Sequence, residues 1–297
     1  MGSSFELIVV EENEDTAIRR LEEGVAEIQR IEALLTEFSQ DSQTALLNRH
    51  AGEHPIHTDP EVQQLIQRCL HLSFITQGAF DISAGALKAL YNFKERQARV
   101  PDAALLSNTL ANVGHRYIQL SGNTAFLAKK GMHIGFGAIG KGYAADRVRS
   151  LWKSKGVRAG VINASGDLTA WGQQPGGNPW KVGIADPREP SRILLWLPVD
   201  DAAVATSGNY EQYFEIDGVR YSHNIDPRTG IPVKGIKSVT VISPSAELSD
   251  ALATAVTVMG TTAGLHLIDQ LPNVHGIIID DKDQLLSSKN IATHAYN

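Results

Sequence analysis

The sequence predicts an α+β fold of mixed and antiparallel sheets with packed helices. Helical periodicity is confined to a few stretches, short apolar runs joined by turn signals crowd the second half, and the two do not alternate as regular βαβ units. Phe5 to Glu11 opens the chain as a strand. Between Asp15 and Phe38, Ile18, Leu21, Val25, Ile28, Ile31 and Leu35 recur at helical spacing, opposite Arg19, Arg20, Glu22, Glu23 and Arg30, which predicts one long amphipathic helix. Asp59 can cap a second helix, with Pro60 in its first turn and Gly78 just past its end. Cys69 inside that helix reads as a small buried hydrophobe. A short helix is expected over 102–113, and the runs 117–120 and 125–128 flank Ser121-Gly122-Asn123 as a β-hairpin. A helix from Lys141 to about Lys155 stops at Gly156. Strands follow at 161–163, 168–171, 180–184, 194–197, 213–216 and 219–221, the last two joined through Asp217-Gly218. A strand over 238–243, a helix over 246–259 and a late strand at 276–279 complete the reading.

At about 150 residues per domain, 297 residues allow two domains. No repeat, low-complexity tract or Pro-rich linker marks a boundary, so one unit over 1–297 is expected. Hydrophobic residues make up 42% of the chain, enough for a sizeable core. The net charge of −6 argues against a broad basic surface, and so against non-specific nucleic-acid binding or attachment to anionic lipid. A single cysteine permits neither an intrachain disulfide nor a Cys-based zinc site. No apolar run approaches the roughly 20 residues that span a bilayer. The chain enters its first strand without a basic segment and apolar core ahead of it, so as written it reads as cytoplasmic, without a signal peptide, and the compartment is left open.

Three segments carry candidate chemistry. Gly135-Phe-Gly-Ala-Ile-Gly-Lys-Gly-Tyr-Ala-Ala-Asp146 is a glycine-rich loop opening a helix, a geometry in which free amides attract anions and glycines admit a phosphate to the backbone. Gly135, Gly140 and Lys141 fit G-x-x-x-x-G-K, but Gly142 stands where a P-loop needs Ser or Thr, so a P-loop NTPase is not read here. In Tyr221-Ser-His-Asn-Ile-Asp-Pro-Arg-Thr-Gly230 the turn signals suggest a loop closing a hairpin, and His223 adds a group suited to proton transfer near neutral pH. The other nine histidines show no metal spacing such as H-E-x-x-H. Asp250 and Thr254 lie at i and i+4, where one helix face can present both oxygens to one hard cation, although an Asp near a helix start is commonly a cap. Gly78-Ala-Phe-Asp81 and Asn163-Ala-Ser-Gly-Asp167 are weaker signals, and Asp167 reads as a residue that holds a turn.

Together and in order, Gly78–Asp81, Gly137–Asp146, Ala205-Thr-Ser-Gly208, Ser222–Gly230 and Asp250–Thr254 resemble the ApbE family of FAD:protein FMN transferases. The resemblance implies an FAD-binding α+β fold, with Mg²⁺ engaging the pyrophosphate. It implies transfer of FMN from FAD to a threonine hydroxyl of an acceptor flavoprotein, with release of AMP. It also implies that Ala138 through its carbonyl, Asp250 and Thr254 hold the metal, that Met1, Ala79, Phe80, Asp81 and Lys141 contact FAD, and that His223 is the base. Many family members are exported lipoproteins. This chain lacks the Tyr that members usually carry after Phe38-Ser39, and it has Gly135 where they often have Asp. An FAD pyrophosphatase, with water replacing the hydroxyl, and a non-catalytic FAD-binding protein are therefore the alternative readings.

Overall fold

In a computed structural model, which describes residues 3–91, 101–208, 213–216, 219–289 and 291, the chain enters as β1 (Phe5–Val10) and continues into α1 (Glu14–Leu35). Asn13 starts this helix by accepting from the Thr16 amide at 3.0 Å, and the predicted stripe buries Ile28, Ile31 and Leu35. The helix ends before Phe38 because the chain becomes extended at Thr36, while the buried Thr44 hydroxyl donates to the Leu35 carbonyl at 2.9 Å. Next come α2 (Gln43–Arg49), β2 (Ile56–His57) and α3 (Pro60–Ile75), the last capped by Asp59 as its sequence predicts. Gln77 and Gly78 both take positive φ, turning the chain sharply, and Cys69 is fully buried.

A 3₁₀ turn at Ile82–Ala84 leads into α4 (Gly85–Lys88). Helix α5 (Ala103–Leu110) is capped by Asp102, and a second 3₁₀ turn at His115–Tyr117 precedes β3 (Ile118–Ser121) and β4 (Thr124–Leu127), the predicted hairpin. With β2 these form a small sheet in the order β2-β4-β3. Helix α6 (Gly140–Ser154) is followed by β5 (Ala159–Ala164), β6 (Asp167–Trp171), the hairpin β7 (Trp180–Asp186) and β8 (Glu189–Val199), and β9 (Ala202–Gly208). A second hairpin, β10 (Tyr213–Ile216) and β11 (Val219–Ser222), precedes β12 (Ile236–Ser243); its predicted Asp217-Gly218 turn lies outside the described residues. The chain continues through α7 (Ala246–Met259), α8 (Thr261–Ile268), β13 (His275–Asp280) and β14 (Leu285–Ser287).

The main sheet is antiparallel throughout, in the order β1-β5-β6-β9-β12-β13-β14. Helix α7 packs on β9 and β12 and against α6, which also meets α1. One core runs through Ile31, Leu65, Ile134, Ile139, Val239, Leu252 and Ile278, and a second surrounds Trp152 and Trp171. Strand β9 is central yet absent from the sequence-based expectation. Its Ala-Ala-Val-Ala-Thr-Ser-Gly run lacks the alternation of a half-buried strand because both faces are covered: Ala203 packs with Trp152 and Ala246, and Val204 packs with Ala170 and Val199. The short elements α2, β2, α4, α8 and β14 are likewise seen only in the structure.

Candidate active site

The site is built where α6 and α7 cross. A Cβ placed on Gly142 would lie 2.2 Å from the Ala246 carbonyl oxygen, so the two backbones touch at this point. That explains why the P-loop pattern breaks here: a Ser or Thr side chain has no room. One turn further along α6, the Asp146 carboxylate accepts from the amides of Ala246 at 3.0 Å and Glu247 at 2.8 Å, fixing the start of α7 together with its own cap, Ser245. This register brings Asp250 under the first turn of α6, where the Gly142 amide donates to its Oδ2 at 3.4 Å.

Around this crossing lies a polar cavity of about 110 Å³, lined by Ala138, Lys141, His223, Asp250 and Thr254, and also by Lys88, Asp167 and Asn224. A second cavity, of about 120 Å³, shares Lys88, Ala138, Asn224 and Thr254 and adds Ala79, Phe80, Asp81 and Glu37. A third, of about 170 Å³, is lined by Phe38, Phe136, Lys141 and Ser3, with Glu37 and Gly137 common to the second and third. Every site residue expected from the sequence and described here thus faces one of two adjoining cavities. Met1 lies outside the described residues.

Charge inside the first cavity is concentrated and balanced. Asp250 is only 6% exposed. Its pKa is pushed up to about 8, first by burial and then by the Asp167 carboxylate, against the pull of Lys141, the Gly142 amide and Lys88. Lys141 forms an ion pair with the buried Asp167, so Asp167 does more than hold a turn. Burial lowers the pKa of Lys88. Among the lining residues, Asp250 carries a carboxylate, Thr254 a hydroxyl and Ala138 a backbone carbonyl, oxygen donors of the kind that suit a hard divalent cation. Two carboxylates sharing a buried cavity are the setting in which such a cation replaces a proton.

The carboxylate of Asp81 is engaged differently. Its Oδ1 accepts from the Ser83 amide and hydroxyl at 2.9 and 2.6 Å, and its Oδ2 accepts from the His115 amide at 2.6 Å. It therefore shapes the loop that carries Ala79 and Phe80. Asn224 donates to Ser207 Oγ at 3.0 Å, tying the His223 loop to the end of β9. Lys88, Glu37 and Asn224 carry no local signal as site residues: Glu37 follows the end of α1 and Lys88 ends the four-residue α4, and only the chain fold brings them to the cavity linings. One reading is corrected. His50, Glu53 and His54, spaced H-x-x-E-H, bring ligand-type atoms within 4.8 Å of one another, the one such cluster among the described residues. It lies on the surface at the end of α2, with His50 Nδ1 3.0 Å from Glu53 Oε2, and lines none of the three cavities.

These features define an α+β protein in which a glycine-rich helix start adjoins a cavity lined by the buried carboxylates Asp167 and Asp250 and by Lys88 and Lys141. The chain belongs to the ApbE family, whose model matches residues 1–278. The FAD:protein FMN transferase of Treponema pallidum is 33% identical over 288 residues, covering 91% of this chain and 80% of that protein. One from Klebsiella pneumoniae is 35% identical, covering 88% and 82%. Among solved structures, the ApbE protein of Thermotoga maritima superposes with a TM-score of 0.88 at 30% identity, covering 97% of this chain and 94% of that one. The apo flavinyl transferase ApbE of Pseudomonas stutzeri gives 0.87 at 30% identity, covering 97% and 92%. The resemblance carried by the five motifs, and the α+β class, are borne out.

Proposed function

We propose that this protein is an FAD:protein FMN transferase that moves FMN from FAD to a threonine hydroxyl of an acceptor flavoprotein and releases AMP. The observation that carries the reading is the cavity in which Lys141, His223, Asp250, Thr254 and Ala138 meet at the first turn of α6. Asp250, Thr254 and the Ala138 carbonyl would hold Mg²⁺, which when bound supplies neutralising charge for the pyrophosphate. Lys141 and the positive end of the α6 dipole offer further positive charge to the phosphates. His223, which lines the same cavity, takes the proton from the attacking hydroxyl. The threonine oxygen bonds to the phosphorus of the FMN half, the phosphoanhydride bond breaks, and AMP departs with its own phosphate. In such a displacement, positioning and charge balance do most of the catalysis.

Incubation with FAD, Mg²⁺ and a threonine-bearing acceptor tests this by mass spectrometry. The acceptor gains the mass of FMN and AMP appears in equal amount. FMN and AMP accumulating without an acceptor would identify a pyrophosphatase instead, and tight FAD binding without turnover would identify a binding protein.

A further inference from the structure

Glu37 is one of two residues that line both the second and the third cavity, the other being the glycine Gly137. It directly follows the extended C-cap of α1, so its side chain leaves the helix at the rim between them. Three features hold the carboxylate there. His133 Nε2 lies 2.7 Å from Glu37 Oε2, the only hydrogen bond to this carboxylate among the described residues. The His133–Ile134 segment is itself anchored from α2, because Asn48 accepts from the Ile134 amide at 2.8 Å and donates to the Ile134 carbonyl at 2.9 Å. The carboxylate also sits over Gly135: a Cβ there would be 3.3 Å from Glu37 Oε2, so the missing side chain at 135 is the space Glu37 fills.

Beside their polar residues both cavities carry apolar side chains, Phe80, Ile82 and Ile225 in one and Phe38, Phe136 and Leu35 in the other. Phe38 is 91% exposed, the most exposed large hydrophobic side chain among the described residues. A flat ring system can lie against such surfaces, and an ionised carboxylate between them can only accept hydrogen bonds. We propose that Glu37 is a substrate-binding residue that accepts a hydrogen bond from an N–H of FAD, either the isoalloxazine imide or the exocyclic amine of adenine. A simple surface ion pair with His133 would explain neither the shared position between two cavities nor the open backbone at Gly135. The inference rests on FAD being the substrate.

FAD affinity measured by flavin fluorescence tests it. Glu37→Gln keeps the shape and loses the charge-assisted bond, so its Kd for FAD should rise about tenfold or more while kcat at saturating FAD changes little. The double variant Glu37→Ala/Gly135→Asp returns a carboxylate to the same space from the other backbone, and should recover most of the affinity that Glu37→Ala alone loses. A residue needed only for folding would show no such rescue. Riboflavin and ADP, tested as separate ligands, assign the contact to one half of FAD by which of them Glu37→Gln weakens; if neither is weakened, the inference is overturned. Wild-type FAD affinity in both Glu37→Gln and Glu37→Ala overturns it alone. Absence of FAD binding by the wild-type protein overturns the substrate reading and this inference with it.

Discussion

At Asp250, burial and a facing carboxylate raise the cost of ionisation, and the Gly142 amide and two lysines lower it. A group so placed is of little use to stability and well suited to a bound cation. Replacing Asp250 by Ala should therefore leave the protein folded by circular dichroism yet reduce Mg²⁺-dependent FAD turnover by about a hundredfold or more. Unchanged turnover would sink the metal assignment. At this scale the sequence was informative where chemistry and local spacing coincide: Asp250 and Thr254 are neighbours on one helix face by arithmetic alone. It was silent on Lys88, Asp167 and Glu37 as site residues, since each owes its role to partners far along the chain, with Asp167 meeting Lys141 and Glu37 meeting His133.

The crossing of α6 and α7 sets the site's dimensions at the level of elements. Gly142→Ala drives a methyl group into the Ala246 carbonyl, backbone against backbone, so the helices must separate. A loss of about 2–4 kcal/mol by urea denaturation is expected, with FAD turnover falling as Asp250 moves away from α6. Asp146 couples the same helices to pH. Burial raises its pKa to about 6 from an ordinary 3.8, so the folded protein keeps a proton that the unfolded chain has already released. Ionisation therefore costs stability as pH rises from about 4 to about 6, and the cost is constant above that. Measured by urea unfolding across this range, the wild type should lose about 2 kcal/mol relative to Asp146→Asn, which lacks the titrating group. A parallel pH dependence in the two proteins would refute the assignment. The helices themselves were legible because their caps and periodicities are local: Asn13, Asp59, Asp102 and Ser245 each accept from an amide within three residues.

Across the whole molecule, the cavities draw on residues from Ser3 to Thr254, and the largest core joins Ile31 to Ile278. Folding as one unit is therefore expected. Calorimetry should show a single unfolding transition, and FAD with Mg²⁺ should raise its midpoint without splitting it. Two separable transitions, only one of them responsive to FAD, would show that the chain is divided. Among the described residues no helix is long and apolar enough to cross a membrane. By itself the sequence determined the α+β class, the principal helices, most strands and, through five ordered motifs, the family, because helix periodicity, capping and turn chemistry act over a few residues. The tertiary structure decided the central place of β9, whose small residues carry no strand pattern because both its faces are buried. It also decided the pairing of Lys141 with Asp167 and the meeting of Glu37 with the gap above Gly135. Those contacts depend on where the packed core places distant segments, and no local pattern encodes that placement.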